Sequence, residues 1–437
     1  EPLHLTSPRE TMALGIGMVH QHFMLSPSLT VGENIVLGCK PSKSPIWDKR
    51  KLQKRLEETL ADMDFDVPLD AVVRDLSVGM MQRVEIVKTL YRGAKLIILD
   101  EPTAVLTPQE TEELFISIRK LKERGHTVIF ISHKLKEVMA ISDRITVLRA
   151  GKTVGTVNKN DVTPEELAQM MIGRQLAGME REQIALGEPV LKVKDLTVIG
   201  DRNKAEVNGL SFELRRGEIL GIAGVEGNGQ TELSECILGI RRAMQGSVEI
   251  CGTDVTKASV NARIEKGLAF IPQERMTEGL ALGCSITDNI MINRRNQEPI
   301  LHRGIIRWDK AKALAEDLIG QYKVKASGAD ELCQNLSGGN MQKVIVAREL
   351  SVSPQLVIAC QPTRGVDIGA SEYIHSMLLK TRDEGNAVLL ISADLDEVMK
   401  LSDRILVMFE GEITGEMTGA EADEKKIGRL MFGKEKE

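Results

Sequence analysis

An acidic pair directly follows an apolar run of strand length. Asp100 and Glu101 come after Leu96-Ile-Ile-Leu, and ligands usually bind at the carboxyl ends of parallel strands in α/β proteins. One carboxylate at such an edge can hold Mg²⁺, and a second can orient or deprotonate an attacking water, which is the chemistry of phosphoryl transfer. We therefore predict that Asp100 is a metal ligand and that Glu101 is the catalytic base. The alternative is an acid pair that only caps a strand.

Two other polar side chains are placed to assist that reaction. His133 follows the apolar run 128–131, and an imidazole there can stabilise charge that develops on a terminal phosphate. Gln21, in Met-Val-His-Gln-His-Phe, can bridge the metal and the attacking water. We predict catalytic roles for both, with Gln21 also a metal ligand. The alternatives are a structural histidine and an ordinary loop amide.

A glycine-rich segment has the pattern of a phosphate-binding loop. Residues 224–231 read Gly-Val-Glu-Gly-Asn-Gly-Gln-Thr and fit G-x-x-x-x-G-K-[ST], except that Gln replaces the Lys. Glycines let successive backbone N–H groups point at phosphate oxygens, and the following helix start adds partial positive charge. The predicted nucleotide-binding residues are Gly224, Gly227, Asn228, Gly229, Gln230 and Thr231, and Thr231 is also predicted to reach Mg²⁺. The alternative is a tight strand-to-helix turn without a ligand.

The chain contains an internal duplication whose two copies differ in chemistry. Leu-Ser-Val-Gly-Met-Met-Gln in the first copy corresponds to Leu-Ser-Gly-Gly-Asn-Met-Gln in the second, at a constant offset of 260 positions. The paired residues are Ser77 with Ser337, Asp100 with Cys360, Glu101 with Gln361, and His133 with Ala393. The first copy therefore keeps acids and a histidine where the second has a thiol, an amide and a methyl group. Each serine is predicted to cap the start of an amphipathic helix, where an anion is also favoured.

Composition limits the class of protein. The 437 residues are enough for two domains of ordinary size, and the net charge of −6 without a long Lys/Arg run argues against a nucleic-acid-binding surface. The six cysteines are scattered without metal-ligand spacing, which favours reduced thiols. No stretch approaches the roughly 18 apolar residues that a membrane-spanning helix needs.

Apolar runs of strand length alternate with longer amphipathic segments, which is typical of an α/β fold with a mostly parallel sheet. Strands are predicted over 96–99, 128–131, 145–148, 356–359, 388–391 and 405–408, and helices over 51–63 and 309–322. A polar stretch separates the copies, so we predict a first domain at 1–175, a linker at 176–188 and a second domain at 189–437. Gln21 pairs with Gln273 at an offset of 252, so the first copy's counterpart of Gly224 would precede residue 1. We therefore expect a chain that begins within its first domain.

The motifs together resemble the ATP-binding cassette (ABC) ATPases, a family of P-loop NTPases. They comprise the Leu-Ser-x-Gly motif, Asp-Glu-Pro-Thr or its altered form Cys-Gln-Pro-Thr, and Ile-Ser-His, in this order and over nearly the whole chain. Gly-Met-Val-His-Gln-His-Phe-Met-Leu, Gly-Asn-Gly-Gln-Thr-Glu-Leu and Gln-Pro-Thr-Arg-Gly-Val-Asp-Ile-Gly-Ala are similar to the fused double-cassette subunit of bacterial sugar and nucleoside importers. The resemblance implies two tandem cassettes, each an α/β domain with a helical subdomain.

The resemblance also implies a head-to-tail pairing, in which each ATP lies between the phosphate loop of one cassette and the signature helix of the other. One site would then combine the intact residues, namely Gln21, Asp100, Glu101, His133, Ser337, Gly338, Gly339, Asn340 and Asp367. The other would combine the loop 224–231 with Gln273, Cys360, Gln361, Ala393, Ser77, Gly79 and Thr107. Because all the departures fall in one set, we predict one hydrolytic site and one that binds nucleotide without cleaving it.

The resemblance further implies ATP and Mg²⁺ as cofactors, two integral-membrane permease subunits as partners, and indirect work with an extracytoplasmic solute-binding lipoprotein. It places the chain peripherally at the cytoplasmic face of the plasma membrane and favours nucleoside over simple sugar. The loops 23–37 and 274–291 are predicted to meet the permeases. The alternatives are a tandem-cassette switch protein acting on ribosomes or DNA, and an inactive fragment.

Overall fold

The computed structural model describes residues 7–20, 23–38, 54, 56, 60, 67–103, 106, 108–132, 134–149, 151–173, 184–201, 203–294 and 298–433. The chain divides into two compact units, 1–176 and 177–437. The predicted linker 176–188 lies largely outside the described residues.

The first unit contains a parallel sheet of β1 (Ile16–Val19), β2 (Leu96–Asp100) and β3 (Thr127–Ile131), in that spatial order. Helices α3 (Val78–Tyr91) and α4 (Pro108–Glu123) supply residues to the core beside it. Further helices among the described residues of this unit are α1 (Pro8–Ala13), α2 (Val31–Val36), α5 (Leu135–Ile141) and α6 (Pro164–Ile172). Strands β4 (Arg144–Arg149) and β5 (Lys152–Asn158) form a separate antiparallel pair.

The second unit is built on a six-stranded sheet. Its strands in chain order are β8 (Ile219–Ala223), β11 (Leu268–Ile271), β14 (Leu356–Cys360), β15 (Ala387–Ser392), β16 (Arg404–Phe409) and β17 (Glu412–Thr418). Their spatial order is β11-β14-β15-β8-β16-β17, with every pair parallel except the last. Strands β8, β14 and β15 are buried along their whole length, because apolar layers cover both faces of the sheet. The predicted mostly parallel sheet is confirmed.

An antiparallel sheet packs against this core and was not predicted. Its spatial order is β10-β9-β6-β7, formed by β6 (Pro189–Ile199), β7 (Ala205–Arg215), β9 (Ala243–Ile250) and β10 (Thr253–Asp254). Residues of β6, β7 and β9 share one apolar cluster with β8 and with α7 (Gln230–Leu238). This sheet therefore holds the strand and the helix that flank the glycine-rich loop.

A helical part lies between β11 and β14. It contains α9 (Ile286–Met291), α10 (Trp308–Gln321), the hairpin β12 (Leu301–His302) and β13 (Ile305–Ile306), and α11 (Gly338–Leu350). Helix α10 confirms the helix predicted over 309–322. Of the helix predicted over 51–63, only Lys54, Leu56 and Leu60 are described, each in helical conformation. Further α-helices among the described residues of the second unit are α8 (Val260–Glu265), α12 (Ile368–Asp383), α13 (Leu395–Leu401) and α14 (Glu424–Leu430).

Within the described ranges, no helix is both long and apolar enough to cross a bilayer.

Candidate nucleotide-binding and catalytic site

The glycine-rich loop joins β8 to α7 through backbone that favours glycine. Gly227 has φ of 89° and Gly229, which is the N-cap of α7, has φ of 99°. A Cβ atom on Gly229 would lie 2.0 Å from the Glu206 carbonyl oxygen, so a side chain has no room there. The loop therefore brings backbone N–H groups to a helix start, which is the arrangement that binds phosphate.

The side chain of Gln230 folds back over this loop. Its Nε2 donates to the Val225 carbonyl at 3.0 Å, and its Oε1 accepts from the Asn228 N–H at 3.1 Å. A Cβ atom on Gly224 would lie 2.2 Å from Gln230 Nε2, so the close approach requires glycine. One of the backbone donors predicted for phosphate is therefore directed to the Gln230 amide.

Asn228 fixes the loop to the turn between β16 and β17. Its Oδ1 accepts from the Glu410 N–H at 2.8 Å, its carbonyl accepts from the Gly411 N–H at 3.1 Å, and its Nδ2 donates to the Val225 carbonyl at 3.0 Å. Asn228 was predicted to bind nucleotide, and the structure adds a structural role for its side chain.

The residues after β2 and β14 have the same backbone conformation in the two units. Glu101 has φ of 44° and Gln361 has φ of 46°, both in the left-handed region that a residue with a side chain rarely adopts. The Glu101 N–H donates to the Ile131 carbonyl at 2.9 Å, and the Gln361 N–H donates to the Ile391 carbonyl at 2.7 Å. Strained backbone of this kind costs about 1–3 kcal/mol and is concentrated at functional sites. The two units thus hold a carboxylate and an amide in equivalent positions.

The residues that directly precede Glu101 and Gln361 differ more strongly between the two units. Asp100 ends β2 as a partly exposed carboxylate, whereas Cys360 ends β14 with 6% of its surface exposed. Burial raises the pKa of the Cys360 thiol to about 12, although a hydrogen bond with Ser234 acts in the opposite direction. The thiol is therefore neutral at physiological pH, since its charged form would be poorly solvated.

The predicted site residues Gln21 and His133 lie outside the described residues, as does Thr107. The neighbours of His133 are described: Lys134 N–H donates to Ser132 Oγ at 3.0 Å, and Ser132 Oγ donates to Glu137 Oε2 at 3.1 Å. Thr103 Oγ1 also donates to Glu137 Oε2, at 2.5 Å. Glu137 therefore links the segment after β2 to the segment that precedes His133.

A charged network that sequence reasoning missed connects three loops of the second unit. Gln273 Nε2 donates to Glu226 Oε1 at 2.9 Å, and Arg364 Nη1 lies 3.0 Å from the same oxygen and 3.2 Å from Glu274 Oε1. Arg275 donates from Nη1 to the Arg364 carbonyl at 2.6 Å and from Nη2 to the Gly365 carbonyl at 3.1 Å. The glycine-rich loop is thereby tied to the segments after β11 and β14. The signal available in the sequence was Arg364, where the first copy has Ala104.

The two signature serines use their hydroxyl groups differently. Ser77 Oγ accepts from the Met80 N–H at 3.3 Å, which confirms its predicted capping of α3. Ser337 makes no such bond, so its predicted cap is wrong: its Oγ accepts instead from Asn340 Nδ2 at 2.8 Å. Asn340 Oδ1 in turn accepts from the Lys325 N–H at 2.9 Å. The backbone N–H groups in the first turn of α11 therefore receive no hydrogen bond from the Ser337 hydroxyl. Helix α11 is buried along most of its length rather than amphipathic.

Glycines allow close packing beside both signature serines. A Cβ atom on Gly339 would lie 3.1 Å from Asp367 Oδ2, and one on Gly338 would lie 2.9 Å from Arg275 Nη2. In the first unit, a Cβ atom on Gly79 would lie 2.4 Å from Glu110 Oε1. Asp367 itself caps α12, because its Oδ1 accepts from the Ala370 N–H at 2.9 Å.

Comparison with known proteins decides the family. The ABC transporter family model matches residues 3–104 and 207–364 of the chain. This chain belongs to the ABC transporter family. The predicted resemblance and the tandem α/β cassette fold are therefore confirmed. ABC import ATP-binding proteins are ATPases, so the predicted enzyme class of this chain is confirmed as well.

Several relatives are similar over almost the whole chain. A nucleoside import ATP-binding protein of Lactococcus lactis subsp. cremoris is 42% identical over 98% of this chain and 85% of its own length. A guanosine import ATP-binding protein of Bacillus subtilis is also 42% identical, over 99% of this chain and 85% of its own length. A ribose import ATP-binding protein of Clostridium tetani is 39% identical over 96% of this chain and 82% of its own length. These relatives favour the importer interpretation over the tandem-cassette switch protein.

Solved structures of single ATP-binding cassettes also match. One, a dimeric cassette in a post-hydrolysis state with ADP and phosphate, is 21% identical with a TM-score of 0.46, over 52% of this chain and 98% of its own.

Proposed function

We propose that the chain is the ATP-hydrolysing subunit of an ABC importer, with one hydrolytic site and one site that holds nucleotide without cleaving it. The supporting observation is the pair Glu101 and Gln361, which share a strained backbone and a hydrogen bond to the neighbouring strand but differ in chemistry. A carboxylate can accept a proton from water, whereas an amide of the same shape cannot. Both units thus have the same backbone geometry at this position, but only the first unit has a carboxylate that can act as a base.

At the hydrolytic site, Glu101 is proposed to orient and deprotonate the attacking water. The oxygen donors there suit Mg²⁺, because Asp100 offers a partly exposed carboxylate at the end of β2 and the ion prefers oxygen ligands. Mg²⁺ bound with ATP supplies charge neutralisation on the phosphates. Gln21 and His133 are proposed to position water and to stabilise the terminal phosphate, respectively.

The residues at the start of α11, which is the signature helix of the second unit, are proposed to bind phosphate. Ser337 is exposed, and its oxygen already accepts a hydrogen bond from Asn340, so its proton is available for an external acceptor. Gly338, Gly339 and Asp367 complete this set. Ser77 and Gly79 are proposed to act in the corresponding way in the first unit, with Ser77 already engaged by the Met80 N–H.

The partners are proposed to be two integral-membrane permease subunits and, through them, a solute-binding lipoprotein outside the membrane, with the chain peripheral at the cytoplasmic face. The relatives named above are import proteins, and import requires a path through the bilayer. The segments 23–37 and 274–291 are proposed to contact the permeases; they were predicted to be loops, but they contain α2 and α9. The second contains Arg275, which is bonded to the loop after β14, so movement at the nucleotide can reach it.

Nucleosides are the proposed solutes, with simple sugars as the second candidate. Two of the relatives carry nucleoside or guanosine import in their names, and a glucose import relative of Haloferax volcanii at the same 42% identity makes simple sugars the second candidate.

The test is transport by vesicles that contain this chain, its permeases and its binding lipoprotein. We expect ATP-dependent uptake of a labelled nucleoside, ATPase activity that rises when the permeases are present, and cross-links from cysteines placed in 23–37 and 274–291 to the permeases. Uptake of ribose alone would contradict the nucleoside assignment. ATPase activity that responds to ribosomes but not to permeases would contradict the importer.

A further inference from the structure

The second unit has lost the carboxylate that would hold Mg²⁺ beside a nucleotide. Mg²⁺ takes six oxygen ligands in near-ideal octahedral geometry and is usually held by one or two carboxylates together with phosphates. In the first unit, Asp100 supplies such a carboxylate at the end of β2. The same position at the end of β14 is Cys360.

One carboxylate lies near Cys360, that of Glu278, and burial together with the negative charges of Glu274 and Glu235 raises its pKa, which disfavours the charged form that would bind Mg²⁺. The thiol is buried beside Ser234 on α7. Ser234 Oγ donates to the Thr231 carbonyl at 2.9 Å, so its proton is directed into the first turn of α7. Sulfur ligands suit soft metals rather than Mg²⁺. The end of β14 is thus packed against the helix that follows the glycine-rich loop.

Three further polar side chains near the loop are bonded to neighbouring residues. Gln273, the counterpart of the proposed metal ligand Gln21, donates to Glu226. The Glu226 carboxylate is paired with Arg364, 3.0 Å away. Gln361 Oε1 accepts from Ser392 Oγ at 3.4 Å.

The groups that remain favour the phosphate chain itself. Loop 224–231 ends at the start of α7, and Thr231 is exposed there. Backbone N–H groups and a helix start bind phosphate without a metal. Arg364 offsets the negative charge of Glu226 within the loop, which would otherwise repel an anion.

We propose that the glycine-rich loop 224–231 binds a nucleoside di- or triphosphate without a divalent cation, so that Mg²⁺ adds no affinity at this site. This inference rests on the proposed nucleotide binding by the loop. If the inference holds, the protein requires Mg²⁺ only at the hydrolytic site that contains Asp100. The phosphates of the nucleotide bound by the second unit would contact protein groups alone.

The test is photolabelling of the full chain by 8-azido-ADP, with the labelled peptides mapped by mass spectrometry. Label on the peptides of residues 177–437, the unit that contains the loop 224–231, is titrated in excess Mg²⁺ and in EDTA. The inference predicts apparent Kd values that agree within about twofold, which is far below the roughly tenfold to hundredfold loss that follows when a metal site is disturbed. A Kd at least about tenfold weaker in EDTA would overturn the inference while leaving nucleotide binding by the loop intact. Absence of label on every peptide of residues 177–437 in both conditions would overturn the proposed nucleotide site and the inference with it.

Two variants at one position sharpen the test. Cys360→Asp restores the carboxylate of the first unit and is expected to make labelling of the loop tighter in Mg²⁺ than in EDTA by about fivefold or more. Cys360→Ser removes the thiol without adding a charge and is expected to stay insensitive to Mg²⁺. Mg²⁺-dependent labelling of Cys360→Ser would contradict the inference. The wild-type and Cys360→Ser titrations decide the question even if the aspartate, placed in a buried position, prevents folding.

Discussion

Glu101 and Gln361 occupy one backbone conformation in the two units, with φ of 44° and 46° and with each N–H bonded to the adjacent strand. The conformation is costly for any residue with a side chain. Its presence in both units means that the position after the strand is held by the fold, while the side chain decides whether water can be activated.

The variant Glu101→Gln is expected to bind ATP normally and to lose turnover by about 10²- to 10⁴-fold, since the amide keeps the shape but cannot accept a proton. The measurement is steady-state ATPase activity of the assembled importer together with equilibrium binding of ATP. Gln361→Ala is the matched control and should change turnover by no more than about twofold. Near-normal turnover of Glu101→Gln would remove Glu101 from the reaction.

Asn340→Met is expected to lower kcat/KM for ATP without unfolding α11. The substitution places in α11 the residue found three positions after Ser77 in the first unit, Met80, and it removes the 2.8 Å bond to Ser337 Oγ. We expect kcat/KM for ATP to fall about three- to tenfold, in line with one neutral hydrogen bond. Because Asn340 acts through Ser337, Ser337→Arg should have the larger effect and abolish turnover.

The control for the signature helix is Met80→Asn, which should leave kcat/KM unchanged because Ser77 Oγ is already held by a backbone N–H. Thermal unfolding of Asn340→Met should match that of the unmodified chain within a few degrees. An unchanged kcat/KM, or a loss fully explained by lower stability, would show that Asn340 does not position Ser337.

Gln230→Lys is expected to tighten nucleotide binding by the loop. The change removes the amide that accepts from the Asn228 N–H and adds an ammonium group at the position where such loops carry lysine. A charge-assisted hydrogen bond contributes about 1.5–3 kcal/mol, so the Kd for ADP at the loop should fall about tenfold or more. Weaker binding would mean that the Gln230 amide supports the loop rather than competing with phosphate.

Gly229→Ala should destabilise the second unit by about 1–3 kcal/mol in urea unfolding, since it adds strain at φ of 99° and a clash with the Glu206 carbonyl. Gly252→Ala separates the two causes. Gly252 has φ of 71°, and a Cβ atom there would meet nothing within 4 Å, so strain acts alone. Equal losses of stability in the two variants would show that the clash at Gly229 is relieved by a small movement of β7.

The sequence predicted the parts of the fold that depend on local pattern. Apolar runs located β2, β3, β14, β15 and β16, because buried parallel strands have continuous apolar sequences. The antiparallel sheet of β6, β7, β9 and β10 was missed, because buried and exposed residues alternate along β6 and β7 and leave no continuous apolar run. The helix starts at Ser77 and Ser337 were placed correctly, and Ser77 caps its helix as predicted.

Side-chain partners were the least predictable part of the site. Ser337 was expected to cap α11, but a side chain three residues later competes for its hydroxyl. The network of Glu226, Gln273, Arg364 and Arg275 depends on three loops that only the folded sheet brings together. The fold-back of Gln230 over Gly224 likewise follows from loop geometry rather than from residue type. The roles of Gln21 and His133 stay predictions.

The most direct test of the asymmetric account is a single-turnover measurement on the assembled importer loaded with radiolabelled ATP. We expect at most one of two bound ATP molecules to be cleaved in the fast phase, with the other nucleotide retained on the chain and mapped by photolabelling to the peptide that contains 224–231. Cleavage of both ATP molecules at similar rates would contradict the central claim that Glu101 is a base and that its counterpart Gln361 is not.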